Sequence, residues 1–306
     1  MPISRASIIR GPAIVTYNGA TFYSKDDIKL VTELETFDIE VSAYGKADER
    51  VKNRKMTVSF TPSGAWANLA TLFPYGAAAI GSSVFGSDTA LAIQTLAGTL
   101  VTFAAAALTK MPSITASAAK TLLGPLEFTC LGKDNTAWGA TGSVYTVASN
   151  AFSDTSFVES AIITAPYTVA WGSTAPWNSL APQDGVTVDF DLGLKPVETD
   201  SEGLVDLTCE KLVVTARLKP AGLTESQVLA ALALQGTGAA RGRSLNAGGQ
   251  TLTIASGSSP SIVLNGANLK SARQLFGPAA LRVDELAFVA TRTFASGAAQ
   301  PLFTVA

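Results

Sequence analysis

The chain has no histidine. That removes the side chain used most often as a general base and as a metal ligand near neutral pH. A phosphate loop ending in Gly-Lys-Ser/Thr is missing too. Gly45-Lys46 is followed by Ala47 and Gly132-Lys133 by Asp134, so neither supplies the hydroxyl such a loop places on Mg2+. An enzyme built from this chain would be left with carboxylates alone, so neither catalysis nor a cofactor is expected. Cysteine is equally scarce. Cys130 and Cys209 make no disulfide framework or zinc cluster and read as small core residues of a protein that matures in a reducing cytoplasm.

Charge is also thin, at 15% of residues against roughly 25% in an average globular chain. The 22 basic and 24 acidic residues leave a net charge of −2. There is no basic stripe with which to grip phosphates, which disfavours tight nucleic-acid binding. With 47% hydrophobic residues the chain has ample material for cores and little charge for solvent. Two readings fit: a surface largely covered by other subunits, or a β-rich monomer clothed in Ser and Thr. Residues 1–7 lack the continuous apolar stretch of a secretory signal. Residues 89–109 are uncharged and long enough for a membrane helix. Yet Gln94, Gly98 and the interspersed threonines suit two short strands around a turn, so no membrane insertion is expected.

What is present is a pattern written twice, at a shift of roughly 154 to 161 positions. Ile14-Val15-Thr16-Tyr17 answers Thr168-Val169-Ala170-Trp171, and Met56-Thr57-Val58-Ser59-Phe60 answers Val214-Thr215-Ala216-Arg217-Leu218. Leu91-Ala92-Ile93 answers Leu252-Thr253-Ile254, Val101-Thr102-Phe103 answers Ile262-Val263-Leu264, and Leu126-Glu127-Phe128 answers Leu286-Ala287-Phe288. The division expected is a first unit over residues 1–135, an inserted arm or linker over 136–165 rich in Ser, Thr, Ala and Gly, and a second unit over 166–306. Two copies of one unit suggest a symmetric assembly in which each chain fills two equivalent positions.

Each copy opens with a short strand and continues into a long alternating one. The first is Ile28-Lys29-Leu30-Val31-Thr32-Glu33-Leu34-Glu35 with Phe37-Asp38-Ile39-Glu40-Val41, the second Val186-Thr187-Val188-Asp189-Phe190-Asp191-Leu192. Period-two alternation gives one apolar and one polar face. A charged loop, a further strand and a short helix follow. Trp66, Leu69, Ala70 and Phe73 make one helical stripe. In the second copy Thr224-Glu225-Ser226-Gln227 has capping-box spacing. Both stripes read as sheet-covering faces. Residues 113–123 fit a strand or a helix. The fold class expected is α+β, mainly β: two tandem β-sandwich or partial-barrel units, each with one flanking helix.

Leu72-Phe73-Pro74-Tyr75-Gly76 with Ile80-Gly81 and Phe85-Gly86, and Thr109-Lys110-Met111-Pro112 with Lys120-Thr121-Leu122, resemble phage virion proteins. The wider layout resembles the tail tube protein of long, flexible-tailed (siphovirus-type) bacteriophages. The resemblance covers roughly residues 10–133 in sequence, and the second half joins it through the internal repeat. It implies a structural virion protein whose β-sandwich units close into stacked rings around passing DNA, without specific contacts to it. The partners implied are other copies of the chain, a tape-measure protein and other tail proteins. The place implied is the phage tail, assembled in the host cytoplasm. The family's usual ring has six units, so a duplicated chain implies a homotrimer with pseudo-sixfold symmetry. If each unit lends four strands to an inner barrel, about 24 strands leave a bore of roughly 38 Å, wide enough for a duplex about 20 Å across. Other readings are a tail-completion or decoration protein on the same fold, or a tandem β-sandwich surface-binding module. A hydrolase comes last.

Two charge patterns bear on assembly. Glu33, Glu35, Asp189 and Asp191 lie on the polar face of the long strands. They are either ordinary solvated positions or, as the resemblance implies, lumen-lining groups that let DNA slide. Residues 44–55 carry Lys46, Arg50, Lys52, Arg54 and Lys55 against Asp48 and Glu49. Residues 195–211 carry Glu198, Asp200, Glu202, Asp206 and Glu210 against Lys195 and Lys211. These opposed loops are expected either to meet between neighbouring subunits or stacked rings and set register, or to be unrelated solvated hairpins.

Overall fold

The computed structural model describes residues 13–63, 81–85, 89–117, 120–131, 144–151, 167–199, 203–232, 250–256, 261–276, 281–292, 294–295, 298–299 and 301–305. It is mainly β, with one helix among those residues. In the first half the strands are β1 (Ala13–Tyr17), β2 (Ala20–Ser24), β3 (Lys29–Val41), β4 (Gly45–Phe60), β5 (Pro62–Ser63) and β6 (Leu91–Thr95). They continue with β7 (Thr99–Phe103), β8 (Ala105–Lys110), β9 (Ile114–Ser117), β10 (Lys120–Leu123), β11 (Leu126–Leu131) and β12 (Tyr145–Ser149). The second half has β13 (Tyr167–Trp171), β14 (Ala181–Thr199), β15 (Gly203–Ala221), α1 (Glu225–Ala231), β16 (Leu252–Ser256) and β17 (Ile262–Leu264). It ends with β18 (Asn268–Phe276), β19 (Leu281–Val289), β20 (Phe294–Ala295), β21 (Ala298–Ala299) and β22 (Phe303–Val305).

Local chemistry explains the elements. Asn18 and Gly19 have φ of 48° and 77°, the paired positive values a two-residue hairpin needs to match strand twist, and they put Tyr17 opposite Ala20. The uncharged run at 89–109 forms β6 and β7, joined by a tight turn, and β8, in keeping with its glycine and threonines. Residues 113–123 contain the hairpin β9–β10 rather than a helix. At α1, the Thr224 N–H donates to the Gln227 side-chain oxygen at 2.8 Å, the backward half of the capping box. The Trp66–Phe73 stripe lies outside the described residues.

Strand order repeats between the halves. In the first, β3-β4-β11-β8 forms one sheet and β12-β7-β6-β1-β2-β5 another. In the second, β14-β15-β19-β18 follows the order of β3-β4-β11-β8, and β13-β16-β17-β22 that of β1-β6-β7-β12, with no strand pairing there like β2–β5 among the described residues. Register repeats as well. Val15 faces Ile93 and Leu91 faces Phe103, while Val169 faces Ile254 and Leu252 faces Leu264. Leu30 faces Val58, Val58 faces Phe128 and Phe128 faces Leu108. Correspondingly, Val188 faces Ala216, Ala216 faces Phe288 and Phe288 faces Leu269.

The match extends to an element the sequence reading placed in an inserted arm. Tyr145 pairs with Phe103 at the edge of the first sheet, as Phe303 pairs with Leu264 in the second. The text there is Val144-Tyr145-Thr146-Val147-Ala148 against Leu302-Phe303-Thr304-Val305-Ala306, a signal that a full comparison of the copies contains.

The sheets of each half close on aromatic rings that are fully or nearly buried. Phe128 and Phe288 are wholly buried and stand at matching positions. One continuous core includes Val15, Phe22, Phe103 and Phe128 from the first half and Val169, Leu252, Leu264 and Phe288 from the second. Packing a side chain of this size stabilises a fold by about 1.5–3 kcal/mol relative to leaving it in water.

The halves are also joined through the backbone. β9 pairs with the outer edge of β14, with Val186 opposite Ala116 and Val188 opposite Ile114. The sheet of the second half thereby becomes β10-β9-β14-β15-β19-β18. Gly185, at φ +101°, sits where an added Cβ would fall 2.3 Å from the Ala116 carbonyl oxygen. Past the end of β19, residues 81–85 cover β15: the Gly81 N–H donates to the Cys209 carbonyl and the Val84 N–H to the Leu207 carbonyl, each at 2.7 Å.

Candidate functional site

The segments read from sequence as charged loops are strands. Residues 45–55 belong to β4 and residues 203–211 to β15, each half of a long antiparallel hairpin. Alternating opposite charges on facing strands make cross-strand pairs, which hold such polar residues in a ladder instead of leaving them in a loop. Arg54 stands opposite Leu34 on β4, and its side chain lies outside the description. Asp200 and Glu202 lie outside the described residues.

The acidic candidates on the long strands all have cationic neighbours. In β3–β4, Glu35 meets Lys52 at 2.6 Å and Glu33 meets Lys55 at 3.6 Å. Near the tip, Lys46 reaches Asp38 at 2.7 Å and Glu49 at 3.0 Å, and Arg50 reaches Asp48 at 3.4 Å. In β14–β15, Asp189 meets Arg217 at 2.7 Å, Asp191 meets Lys211, and Lys195 meets Glu210 at 3.6 Å. Strand alternation puts Glu33 and Glu35 on the face opposite Leu30, and Asp189 and Asp191 on the face opposite Val188. The equivalent faces of both hairpins thus carry paired charge of both signs.

These pairs are exposed, and their electrostatic effects are local. Hydrogen bonds to Asp38 and Glu49 raise the Lys46 pKa. The Thr36 hydroxyl, followed by Lys46, lowers that of Glu49. Lys52 is raised chiefly by its hydrogen bond to Glu35, with a smaller contribution from Glu198 in the other hairpin. Lys52 and Glu198, named from sequence as members of opposed charged segments, therefore come near each other within one chain. Asp206 has an inward role: its Oδ1 accepts the backbone N–H of Leu207 at 2.7 Å and of Phe85 at 3.4 Å, holding residues 81–85 on β15.

The hairpins differ in how they are covered. On β14, Val186 and Val188 are 1% exposed, packed in the common core with β9 paired along their edge. On β3, Leu30 is 45% and Leu34 59% exposed, although Leu30 stands where Val188 does relative to β4. Phe37 and Val51 add further exposed apolar surface to the same hairpin. The sequence alternation marks these positions as an apolar face but not as an exposed one.

Other chemistry is sparse. Cys130 and Cys209 are free and buried; burial pushes the Cys130 thiol up to about 12, leaving it a neutral core group. Among the described residues no group of three His, Cys, Asp or Glu side chains is placed to hold a metal ion, and no helix is long and apolar enough to cross a membrane. Comparison with models of known protein families finds no match, and comparison with curated proteins finds none either.

Proposed function

We propose that this chain is a structural virion protein of the tail-tube type: a duplicated subunit whose copies close into rings that stack into a tube conducting DNA. The observation that carries this reading is the repeated register. Val58–Phe128–Leu108 runs across β4, β11 and β8 as Ala216–Phe288–Leu269 runs across β15, β19 and β18. Two units of one trace in one chain suit two equivalent seats in a ring, and three such chains give pseudo-sixfold symmetry.

Four strands per unit is also the number for which a six-unit barrel leaves a bore of roughly 38 Å. The hairpin faces with paired charges carry neither sign in excess. A bore lined by them offers DNA phosphates little to adhere to, since tight binding needs unneutralised cations. The exposed apolar residues on β3 supply surface for subunit contact. The tape-measure protein and other tail proteins are the further partners this role requires.

Negative-stain imaging of the purified full-length chain tests the proposal. Annuli or tubes with a central channel are the expected result. Monodisperse monomers at high protein concentration would favour a tandem β-sandwich surface module instead.

A further inference from the structure

The junction between the halves is made by an added strand. β9–β10 is a hairpin extension of β8–β11 in the first half, and it adds its β9 edge to β14 of the second half. The second half has its own extension. β19 pairs with β15 only from Leu286 to Val289, yet β18 and β19 stay paired outward through Arg273–Glu285, Gln274–Val283 and Phe276–Leu281. This two-stranded ribbon matches β9–β10 by register. Ile114 faces Leu123, which precedes Leu126 by three residues, as Gln274 faces Val283 ahead of Leu286.

The acceptor also has its match. β3 is the terminal strand of its sheet among the described residues, and Leu30 stands opposite Val58 as Val188 stands opposite Ala216. Where β9 covers β14, Val188 is 1% exposed, whereas Leu30 is 45% exposed. One half of the molecule thus has its strand edge occupied by a hairpin of the other half. The remaining edge and the remaining hairpin point to the same contact made with another molecule.

We infer that the β18–β19 ribbon of one chain adds to the outer edge of β3 in a second copy of the chain, with Gln274 opposite Leu30 and Phe276 opposite Ile28. The contact is β-strand addition: backbone N–H and C=O groups on both edges are satisfied and the apolar face of β3 leaves water. It is head-to-tail, since each chain offers one ribbon and one edge, so repeating it gives a ring or an open helix rather than a closed dimer, and the ring reading selects the first. The inference rests on the ring reading above and specifies which surfaces make the ring. Charges along β3, such as Lys29 and Glu33, would also guard a solitary edge against accidental pairing, and the experiment separates the two roles.

The test uses the full-length chain with paired cysteines, L30C and Q274C, oxidised under mild conditions and run on a non-reducing gel. Directly opposed residues of antiparallel strands lie within disulfide reach, and the native Cys130 and Cys209 are buried. The inference expects a cross-linked ladder ending at the ring number, three, with neither single variant cross-linking. In a separate variant, L30E, ring mass should fall to monomer mass in sedimentation, while circular dichroism stays close to wild type because Leu30 is already half exposed. Wild-type rings that neither cross-link through this pair nor dissociate with L30E overturn the inference and leave the ring reading standing. A wild-type chain that remains monomeric overturns both.

Discussion

Trp171 packs on Phe288 with ring centroids 5.2 Å apart and planes at 58°, and Tyr17 packs on Phe128 at 4.8 Å and 57°. The two contacts join matching strands in the two halves. Each first-strand ring stands at the end of a strand that runs against β6 or β16, and each phenylalanine lies on an inner strand of its sheet. The indole N–H of Trp171 donates to the Ala267 carbonyl at 2.7 Å, so the larger ring is accommodated without an orphaned donor.

Equivalent positions should respond equally to truncation. Phe128→Ala and Phe288→Ala are each expected to lower stability by about 3–5 kcal/mol, the usual cost of emptying a buried aromatic site. Urea unfolding of both variants checks this. A nearly silent substitution at one of the two sites would show that the matching registers do not correspond to matching packing.

The junction between the halves should be sensitive to a single methyl group. Gly185→Ala must hold φ near +101° and bring a Cβ to 2.3 Å from the Ala116 carbonyl oxygen. The expected cost is about 1–3 kcal/mol from backbone strain, with further loss if β9 is displaced from β14. Hydrogen exchange at Thr115 and Thr187, which face each other across this joint, should speed up while exchange in β1 is little changed. Unaltered exchange and melting would contradict the described joint.

Alkaline pH should weaken the fold. Burial pushes the Tyr17 hydroxyl and the Cys130 thiol each up to about 12, from ordinary values of 10.0 and 9.0. Because the folded pKa values are raised, the unfolded chain loses these protons first. Their contribution is fully present below about pH 9 and declines as pH rises toward 12. Denaturant midpoints measured from pH 8 to 11 should fall, and Tyr17→Phe with Cys130→Ala should flatten the decline. The native Cys130 should also react slowly with iodoacetamide.

The hairpin ion pairs should matter little to the fold of the single chain. Arg217→Met, which removes the partner of Asp189, is expected to cost about 0.2–1 kcal/mol, as for exposed pairs generally. At acid pH the sign follows from Glu49, whose carboxyl is held low by Thr36 and then Lys46. Its contribution is present above the unfolded value and lost as pH falls through the lower folded one. Melting curves of Glu49→Gln should therefore differ from wild type at neutral pH and converge with it at low pH; a difference that persists in acid would exclude the carboxylate as its source.

Much of this architecture can be read from the chain text. Period-two alternation marks β3 and β14, the capping box marks α1, and the five matched pairs of segments all fall in strands. Charge misled where it was dense. Lys46, Glu49 and Lys52 look like a loop because the hairpin tip is solvated on both faces, so no apolar period marks it as strand. The β9–β14 joint was out of reach for a different reason: strand addition is made by backbone groups common to every residue, and Ile114 and Val186 identify themselves as strand positions but not as partners. Tyr145-Thr146-Val147 alternates as a strand does, but the surrounding Ser- and Thr-rich text resembles a linker.

The most direct test of two equivalent seats per chain combines native mass spectrometry with cryo-electron microscopy on the same assembled rings. The account predicts a mass of three chains and averages showing six similar lobes around an open channel. A ring whose lobe count equals its chain count, or a particle with no channel, would contradict it.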